Sequence, residues 1–546
     1  MPKSILLAVV VICLPTFCST SCQPATPTNI PGTPNIVLIV ADDLGYSDLG
    51  CFGSEIATPN IDALAQEGQI FNNFYTAATC SPTRAMLLTG TDNHIAGLGD
   101  MAERVQSMPA LIGQPGYEGH LNDKVVSIAQ LLKDQSYHTY IAGKWHLGRT
   151  PDQSPQAKGF ERSFTLMEAY TNHFYPYQDN RFWEDDGYTQ YPEGEYSTDL
   201  YTDKLISFLE DDRDDERPFF LYAAYTSPHW PLQAPQQYID QYRGVYDIGY
   251  DSLRSRRFQG LIEKGIIGEN TKLPELPSVK AALYEITNEP LLPWSSLTDK
   301  QKRLEAHKME IYAGMVSNLD YNVGRLVEHL KQTGEFDNTL FVFFSDNGAA
   351  VLDENLTPPG MDVYQAMGTA NSFVGYGPPW AHASSAAFRF YKGYSAEGGI
   401  RTPLLIKMPG QQQGRGVLPA FVTVMDLAPT FLELAGGAYP ESYQGRILAT
   451  LQGESILTLL RGEHEHVHTD EYTVGWELFG RCALRKGQWK LMKIERPFGK
   501  DRFELFNLEQ DPGETVDLSA DYPEKYRELM AEWERYVEEN GVILQE

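Results

Sequence analysis

Three stretches of the chain are continuously apolar and rich in β-branched or aromatic residues. They run from Asn35 to Ala41, from Phe219 to Tyr225 and from Thr339 to Ser345. A strand with one face in water alternates polar and apolar residues, whereas a strand buried on both faces does not. The pattern therefore predicts strands near the centre of a mostly parallel sheet, with helical segments between them.

The pattern changes towards the C-terminus, where short apolar segments follow one another without long helices between them. Consecutive strands of this kind predict a small antiparallel sheet. The predicted elements are the strands Cys482–Arg485, Trp489–Ile494 and Phe503–Asn507 and a closing helix, Glu524–Glu539. We therefore expect a catalytic domain over residues 35–440 and a C-terminal α+β subdomain over residues 441–546.

Two segments carry weaker patterns. Residues 244–300 show no clear periodicity and contain several prolines, which predicts an irregular excursion over the sheet. His464, His466 and His468 alternate along the chain. Their position beside a domain junction favours an exposed strand over a metal site.

The apolar strands end in polar residues of a particular kind. Asp42 and Asp43 follow the first strand, and Asp346 and Asn347 follow the last. Open α/β sheets place their sites at the carboxyl ends of strands, and adjacent carboxylates repel each other unless a cation holds them. Asp and Asn are hard oxygen ligands, so these four side chains predict a Ca²⁺ or Mg²⁺ site. A plain turn is the alternative for any one position alone.

Further strand ends carry basic side chains. Lys144 and His146 follow a predicted strand, His138–Ala142, and His229 follows the strand that ends near residue 225. Residues two apart in an extended chain point to the same side, so Lys144 and His146 are expected to face one site. Lys392 lies in a polar, Gly-rich loop. A surface position is the alternative for each of these cations.

Cys80 begins the stretch that we expect the site to be built around. Pro82 fits the first turn of a helix, which places Cys80 at the positive N-terminal end and Arg84 one turn below. A thiol there would ordinarily be a low-pKa nucleophile or a redox cysteine, but a CxxC partner or flanking histidine is missing nearby. A buried structural cysteine is the other interpretation of the short pattern.

The composition of the chain limits the classes of molecule that the protein is expected to bind. The 546 residues are 42% hydrophobic and 21% charged, as in an ordinary globular protein, and the formal net charge is −29. Such a charge argues against binding to nucleic acid or to an anionic membrane surface. An anionic substrate would need a local cationic pocket.

The N-terminus has the features of an export signal. Lys3 precedes an apolar run, Ile5–Leu14, and small residues lead to Cys22. We predict a signal over residues 1–22, too short to span a bilayer, and a linker over residues 23–34. Export to the periplasm, secretion and lipid anchoring through Cys22 remain equal alternatives. The cysteines left in the mature chain are too few for a disulfide framework.

The motifs together carry a resemblance. Cys80-Ser-Pro-Thr-Arg84 with Leu87-Leu-Thr-Gly90 resembles the signature of the type I sulfatases, most closely that of bacterial calcium-dependent arylsulfatases. Asp42-Asp43, Lys144-Trp-His146, His229, Asp346-Asn347 and Lys392 occur in the family's order. The resemblance implies the alkaline phosphatase superfamily fold: a large mixed, mostly parallel sheet flanked by helices, with a smaller C-terminal domain of antiparallel sheet plus helix.

The resemblance also implies the reactive group. Cys80 would be oxidised to formylglycine by a formylglycine-generating enzyme, and the hydrated aldehyde would be the nucleophile. Asp42, Asp43, Asp346 and Asn347, together with formylglycine at position 80, would bind Ca²⁺, with Mg²⁺ as the alternative.

By the same resemblance, Arg84, Lys144 and Lys392 would bind the charge of the sulfate. Asp346 would accept the proton of the attacking hydroxyl. His146 would be the base that releases sulfate, and His229 the acid that protonates the leaving oxygen.

The implied activity is hydrolysis of a sulfate monoester of an aryl, alkyl or sugar alcohol. One alternative is a phosphonate or phosphate ester hydrolase, because the superfamily site accepts tetrahedral phosphorus. Another is a binding lipoprotein that keeps the fold without turnover, although such a protein needs neither Cys80 nor two histidines.

Overall fold

A computed structural model describes residues 1, 32–211, 215, 217–281, 283 and 286–544. The predicted export signal after Met1 and most of the predicted linker lie outside the described residues. In chain order the strands are β1 (Asn35–Ala41), β2 (Gln69–Tyr75), β3 (His138–Lys144), β4 (Arg162–Leu166), β5 (Phe182–Glu184), β6 (Gly187–Thr189), β7 (Phe219–Ala224), β8 (Val279–Ala281), β9 (Ile286–Pro290), β10 (Thr339–Ser345), β11 (Asn355–Leu356), β12 (Phe373–Val374), β13 (Arg401–Lys407), β14 (Gly416–Leu418), β15 (Val422–Thr423), β16 (Ser442–Tyr443), β17 (Arg446–Ile447), β18 (Thr473–Leu478), β19 (Arg481–Lys486), β20 (Trp489–Lys493) and β21 (Glu504–Asn507).

Along the chain, the α-helices come between the strands of the largest sheet and after them. They are α1 (Pro59–Glu67), α2 (Cys80–Thr89), α3 (Asn93–Ala96), α4 (Ala102–Ser107), α5 (Ile128–Asp134), α6 (Ser197–Asp211), α7 (Gln236–Ile239), α8 (Tyr250–Glu263), α9 (Asp299–Gln332), α10 (Val363–Ala366), α11 (Gly377–Ser384), α12 (Glu397–Ile400), α13 (Leu427–Leu434), α14 (Leu457–Arg461) and α15 (Pro523–Asn540). No helix within the described ranges is long and apolar enough to cross a membrane.

The large sheet is mixed, with a parallel centre. Its order is β14-β2-β13-β10-β1-β7-β3-β4-β5-β6, and β15 also pairs with β2. The strands from β10 to β4 in this order are parallel. Strand β13 runs antiparallel to both of its neighbours, β10 and β2, whereas β2 pairs in parallel with β14 and β15. The fully buried strands β1, β7 and β10 confirm the prediction from their unbroken apolar sequences.

The register of the central strands brings their polar ends together. Ala41 of β1 pairs with Ser345 of β10, so Asp42 and Asp346 come next on adjacent strands. The Asp346 amide donates to the carbonyl of Ala41 at 3.1 Å, and the Asp42 amide donates to the carbonyl of Ser227 at 3.1 Å. The segment between β7 and His229 is thereby held beside the ends of β1 and β10.

The C-terminal sheet has the order β18-β19-β20-β21 and is antiparallel, as predicted. It is joined to the part of the chain that forms the large sheet by polar as well as apolar contacts. Val474, Trp476 and Leu478 of β18 belong to the same hydrophobic core as the large sheet. Lys490 of β20 is fully buried, with its Nζ 2.9 Å from Glu397 Oε1 and 2.6 Å from a second buried carboxylate, that of Glu514.

The prediction of an irregular excursion over residues 244–300 is wrong in part, because helix α8 lies within it. The helical period is hidden by charged residues at buried positions. Arg257 is 1% exposed and pairs with Asp48 and, at 2.8 Å, with Glu55 Oε1. A pattern search that treats arginine as a surface residue therefore misses this helix.

The prediction of an exposed strand over the alternating histidines is wrong as to the strand, because residues 464–468 contain bends and no strand. His464 and His466 are exposed, as predicted, whereas His468 is not. The His468 side chain is 1% exposed, lies 2.9 Å from Asp426 Oδ2, and stacks on Tyr472 with ring centroids 3.7 Å apart. The position of His468 is thus fixed by Asp426, which is distant in sequence, and by the ring of Tyr472.

Candidate active site

Cys80 is the first residue of α2, as predicted, and is 1% exposed. Its Sγ lies 3.4 Å from Asp42 Oδ1, 4.0 Å from Asp43 Oδ1 and 3.3 Å from Lys392 Nζ. Burial, with the neighbouring Asp346 carboxylate, raises the pKa of the Cys80 thiol well above its ordinary value. The raised pKa disfavours a thiolate at Cys80 in this structure, although the position is that of a reacting group.

Asp42 and Asp43 both lie close to the Cys80 sulfur and are both fully buried. Lys144 Nζ donates to both Asp42 oxygens, at 3.0 and 2.8 Å, and Lys392 Nζ donates to Asp43 Oδ1 at 2.7 Å. Burial alone would raise the pKa of Asp42, but Lys144 and the neighbouring cations hold it well below its ordinary value. The two lysines thus hold both carboxylates in positions from which they could bind one metal cation together.

Two buried oxygens at this edge have no hydrogen-bond donor: Asp43 Oδ2 and Asn347 Oδ1. The Asn347 amide nitrogen donates to Asp43 Oδ1 at 2.7 Å, which orients its own oxygen for another partner. An unsatisfied buried polar group costs roughly 1–3 kcal/mol. Since carboxylate and amide oxygens are the ligands that hard divalent cations take, this donor set fits Ca²⁺ or Mg²⁺.

One ligand atom from each of Asp42, Asp43, Cys80 and His229 lies within 4.8 Å of the others. His229 belongs to this group, although the sequence assigned it only an acid role. Its Nε2 is 3.4 Å from Asp43 Oδ2.

Arg84 is fully buried and its donors are occupied by protein groups. Nε and Nη2 donate to Asp346 Oδ2 at 3.0 and 2.8 Å, and Nη1 donates to the Lys144 carbonyl at 3.1 Å and to Tyr222 Oη at 3.2 Å. Burial and the Asp42 charge raise the pKa of Asp346 to about 6 in spite of Arg84. Arg84 therefore fixes Asp346 beneath the site in this structure.

The extended-chain argument for Lys144 and His146 is wrong at His146. Strand β3 continues through Lys144, but His146 has φ +54°, in the left-handed region. Gly143 before them has φ +120°, and a Cβ there would lie 1.8 Å from the Ala224 carbonyl oxygen. The backbone must therefore turn where the sequence pattern assumed a strand.

Glu103 is a site residue that the sequence analysis missed. It lies in the short helix α4, with its Oε1 3.2 Å and its Oε2 3.3 Å from His146 Nε2. Arg149 Nη2 is 3.5 Å from Glu103 Oε2. Nothing in the local sequence marks this carboxylate, because it meets its partners only through the fold.

His229 has a defined orientation. Its Nδ1 is 2.6 Å from the Trp230 carbonyl oxygen, which can only accept, so Nδ1 carries the proton and Nε2 faces Asp43. The ring lies 4.5 Å from that of Trp230 and 6.1 Å from that of Tyr170. Burial, opposed by Asp43 and reinforced by Lys392, lowers the pKa of His229 to about 3. In this structure the imidazole is therefore neutral.

Lys392 is placed by a loop that the C-terminal sheet holds. The Gly393 amide donates to the Ala78 carbonyl at 2.7 Å, and Arg481 Nη1 donates to the Gly393 carbonyl at 2.8 Å. The Arg481 guanidinium lies 3.6 Å from the centroid of the Tyr394 ring. Arg481 was not predicted, because it comes from the other subdomain.

Cys80, His146, His229 and Lys392 line one cavity of about 540 Å³. Tyr170 and Trp230 form an aromatic part of its wall beside His229. A larger cleft, of about 900 Å³, is lined by other residues, among them Arg401 and Arg485. The chemistry described above belongs to the smaller cavity, because the reactive side chains open into it.

Comparison with known proteins identifies the family. Residues 34–438 match the family model described as Sulfatase, and residues 388–541 match the model described as N-sulphoglucosamine sulphohydrolase, C-terminal. An uncharacterized sulfatase of Schizosaccharomyces pombe is 41% identical over 535 residues, covering 93% of this chain and 94% of its own. The arylsulfatase of Klebsiella aerogenes is 38% identical over 419 residues, covering 74% of this chain and 87% of its own.

Solved structures agree with the sequence comparison. The crystal structure of Ps i-CgsB in complex with k-i-k-neocarrahexaose is 26% identical to this chain, with a TM-score of 0.64, and covers 93% of this chain and 92% of its own. Its likeness supports the alkaline-phosphatase-like fold of the large sheet. The chain belongs to the sulfatase family, whose members are sulfuric ester hydrolases.

Proposed function

We propose that the protein hydrolyses sulfate monoesters with a formylglycine formed from Cys80 by a separate maturation enzyme. The observation that carries the proposal is the surroundings of Cys80: it begins a helix, and its Sγ lies within 4.0 Å of the Asp42 and Asp43 carboxylates and 3.3 Å from Lys392 Nζ. In the mature protein the Sγ position stands for the formylglycine oxygens. As a hydrate, this group supplies one hydroxyl that attacks sulfur and a second whose deprotonation expels sulfate.

Asp42, Asp43, Asp346 and Asn347 would hold Ca²⁺, or Mg²⁺ as the alternative. The two unpartnered oxygens of Asp43 and Asn347 support this assignment. When bound, the cation supplies positive charge that lowers the pKa of the hydrate and balances the charge of the sulfate.

The remaining residues are assigned either to binding the negative charge of the substrate or to proton transfer. Lys392 lies at the cavity and meets the substrate's negative charge, whereas Lys144 and Arg84 act from beneath through Asp42 and Asp346. Asp346, with its raised pKa of about 6, accepts the proton of the attacking hydroxyl. His146, opposite Glu103, is the base for sulfate release.

His229 is the proposed acid for the leaving oxygen. Since its Nδ1 already donates to Trp230, Nε2 must carry the second proton that is transferred. An arriving sulfate anion favours the imidazolium, because an opposite charge nearby raises the pKa of a histidine that burial has lowered.

The aromatic wall beside His229 supports an aryl leaving group, and the arylsulfatase of Klebsiella aerogenes is among the relatives. Sulfated carbohydrates are the other candidate substrate class, because Ps i-CgsB was solved in complex with a saccharide. We also propose export through residues 1–22, on sequence alone, followed by release or by anchoring at Cys22.

The test uses protein produced together with a formylglycine-generating enzyme. Release of inorganic sulfate from 4-nitrophenyl sulfate should exceed hydrolysis of the matching phosphate diester and phosphonate, and Cys80→Ala should be folded but inactive. Preference for the phosphorus esters would instead support the phosphonate or phosphate hydrolase. An active protein whose Cys80 peptide carries only an unmodified thiol would overturn the formylglycine mechanism.

A further inference from the structure

The outer wall of the active-site cavity carries more negative than positive side chains. Apart from Lys392, its charged lining consists of four carboxylates, one of which is Glu103 opposite His146, and one ammonium group. They are Glu103, Glu289, Asp353, Glu354 and Lys280. Arg149 and Lys308 offset part of this charge, at 3.5 Å from Glu103 Oε2 and 3.4 Å from Asp353 Oδ1. The excess of negative charge that remains would repel an anionic group on the leaving alcohol.

The single ammonium group is already bound on both sides. Lys280 Nζ is 2.7 Å from Asp353 Oδ2 and 3.2 Å from Glu289 Oε2. Asp353 also pairs with Lys308, whose Nζ lies 3.4 Å from Asp353 Oδ1. A second anion on the substrate would have to compete with these carboxylates for Lys280.

The base of the cavity offers charge for one sulfate. Lys392 Nζ lies 3.3 Å from the Cys80 sulfur and is the basic side chain that both lines the cavity and contacts the reacting position. It is itself paired with Asp43 at 2.7 Å. The cationic part of the site is therefore matched to a single anionic group.

Another part of the cavity lining is apolar. The Tyr170 and Trp230 rings lie 4.2 Å apart beside His229, and Met101, Val351 and Leu352 also line the cavity. Such a surface stabilises an apolar or aromatic face of the leaving alcohol.

We infer that the site selects substrates by the charge of the leaving group: alcohols that carry no second anion are accepted, cationic ones are favoured, and anionic ones are disfavoured. The inference rests on the proposed function. It follows from the excess of carboxylates on the outer wall, whereas the sulfate itself is bound at the base.

The experiment uses three aryl sulfates whose phenols have similar acidity. They are 4-ethylphenyl sulfate, tyramine O-sulfate with an ammonium group, and 3-(4-sulfooxyphenyl)propanoate with a carboxylate. For one uncompensated charge at about 8 Å and an intermediate dielectric, the neutral substrate should exceed the anionic one by roughly 5- to 10-fold in kcat/KM at low ionic strength. The difference should shrink in high salt, because salt screens exposed charges.

A double variant, Asp353→Asn with Glu354→Gln, tests the cause. It should raise the ratio of anionic to neutral kcat/KM by roughly 5-fold, because two wall charges are removed and Lys280 loses the Asp353 carboxylate while it keeps Glu289. Glu269→Gln is the matched control, since Glu269 lines the larger cleft and not this cavity. Its ratio should equal that of the wild type.

Equal kcat/KM for the three substrates, or a faster anionic substrate, would overturn the charge selection while leaving sulfate hydrolysis intact. A ratio that the double variant does not move would overturn the assignment to this wall. Failure of all three substrates with formylglycine-containing protein would instead overturn the proposed function, and the inference with it.

Discussion

Replacing His229 separates protonation of the leaving group from every other step. The ring is 3% exposed, its Nδ1 is held by the Trp230 carbonyl, and its Nε2 faces the reacting position. His229→Gln keeps a donor for that carbonyl and much of the volume, but it has no titratable nitrogen. His229→Ala removes the ring altogether and should also loosen its packing against Trp230.

The size of the effect depends on how much the leaving oxygen needs a proton. A positioned general acid contributes typically about 10²- to 10⁴-fold, so both variants should lose that much kcat/KM on an alkyl or sugar sulfate. On 4-nitrophenyl sulfate, whose phenolate departs almost unaided, the loss should be less than about 10-fold.

The assay measures kcat/KM over a series of aryl and alkyl sulfates, and thermal unfolding shows that both variants remain folded. The dependence on leaving-group acidity should become steeper in the variants. Equal losses across the series would remove His229 as the acid. Sulfate retained on the Cys80 peptide of a His229 variant would mean that the roles of the two histidines are exchanged.

Four further predictions concern other parts of the site. His146→Ala should release the first alcohol and then stop, and mass spectrometry should find sulfate on the Cys80 peptide; continued turnover would contradict its role as the base. Chelation should abolish activity and Ca²⁺ should restore it, with metal analysis showing no stoichiometric zinc. Arg481→Ala should lower kcat roughly 10-fold by releasing the loop that carries Lys392, with partial rescue in Arg481→Lys; an unchanged kcat would remove its positioning role. Lys490→Met should lower the free energy of unfolding by roughly 3–5 kcal/mol in urea titrations, because the buried Glu397 and Glu514 lose the ammonium group that they share, although Glu397 keeps Arg401 at 3.4 Å; a change below about 1 kcal/mol would contradict that account.

The sequence predicted well those features that are encoded locally. The unbroken apolar runs correctly located the central strands, and the register then placed Asp42 beside Asp346 as expected for parallel neighbours. The helix start at Cys80 was also predictable, because Pro82 marks its first turn.

What the sequence did not predict depends on contacts between distant segments. Glu103 and Arg481 lie in α4 and β19 without a motif, and their importance comes from the partners that the fold brings to them. The buried Arg257 conceals the period of α8, since its charge is balanced by carboxylates some two hundred residues away. His146 differs for another reason, because its left-handed backbone breaks the alternation on which the prediction relied.

The hydrogen bonds between the two subdomains limit how this enzyme can be shortened or recombined. A chain that ended near residue 440 would keep all the predicted ligands, yet it would lose the Arg481 donor to the Gly393 carbonyl and the Trp476 Nε1 donor, 2.8 Å from the Thr76 carbonyl just before Cys80. A chimera that took its C-terminal part from another sulfatase would have to supply both donors in the same positions. The boundary that the sequence pattern draws between the subdomains is therefore not one at which activity can be divided.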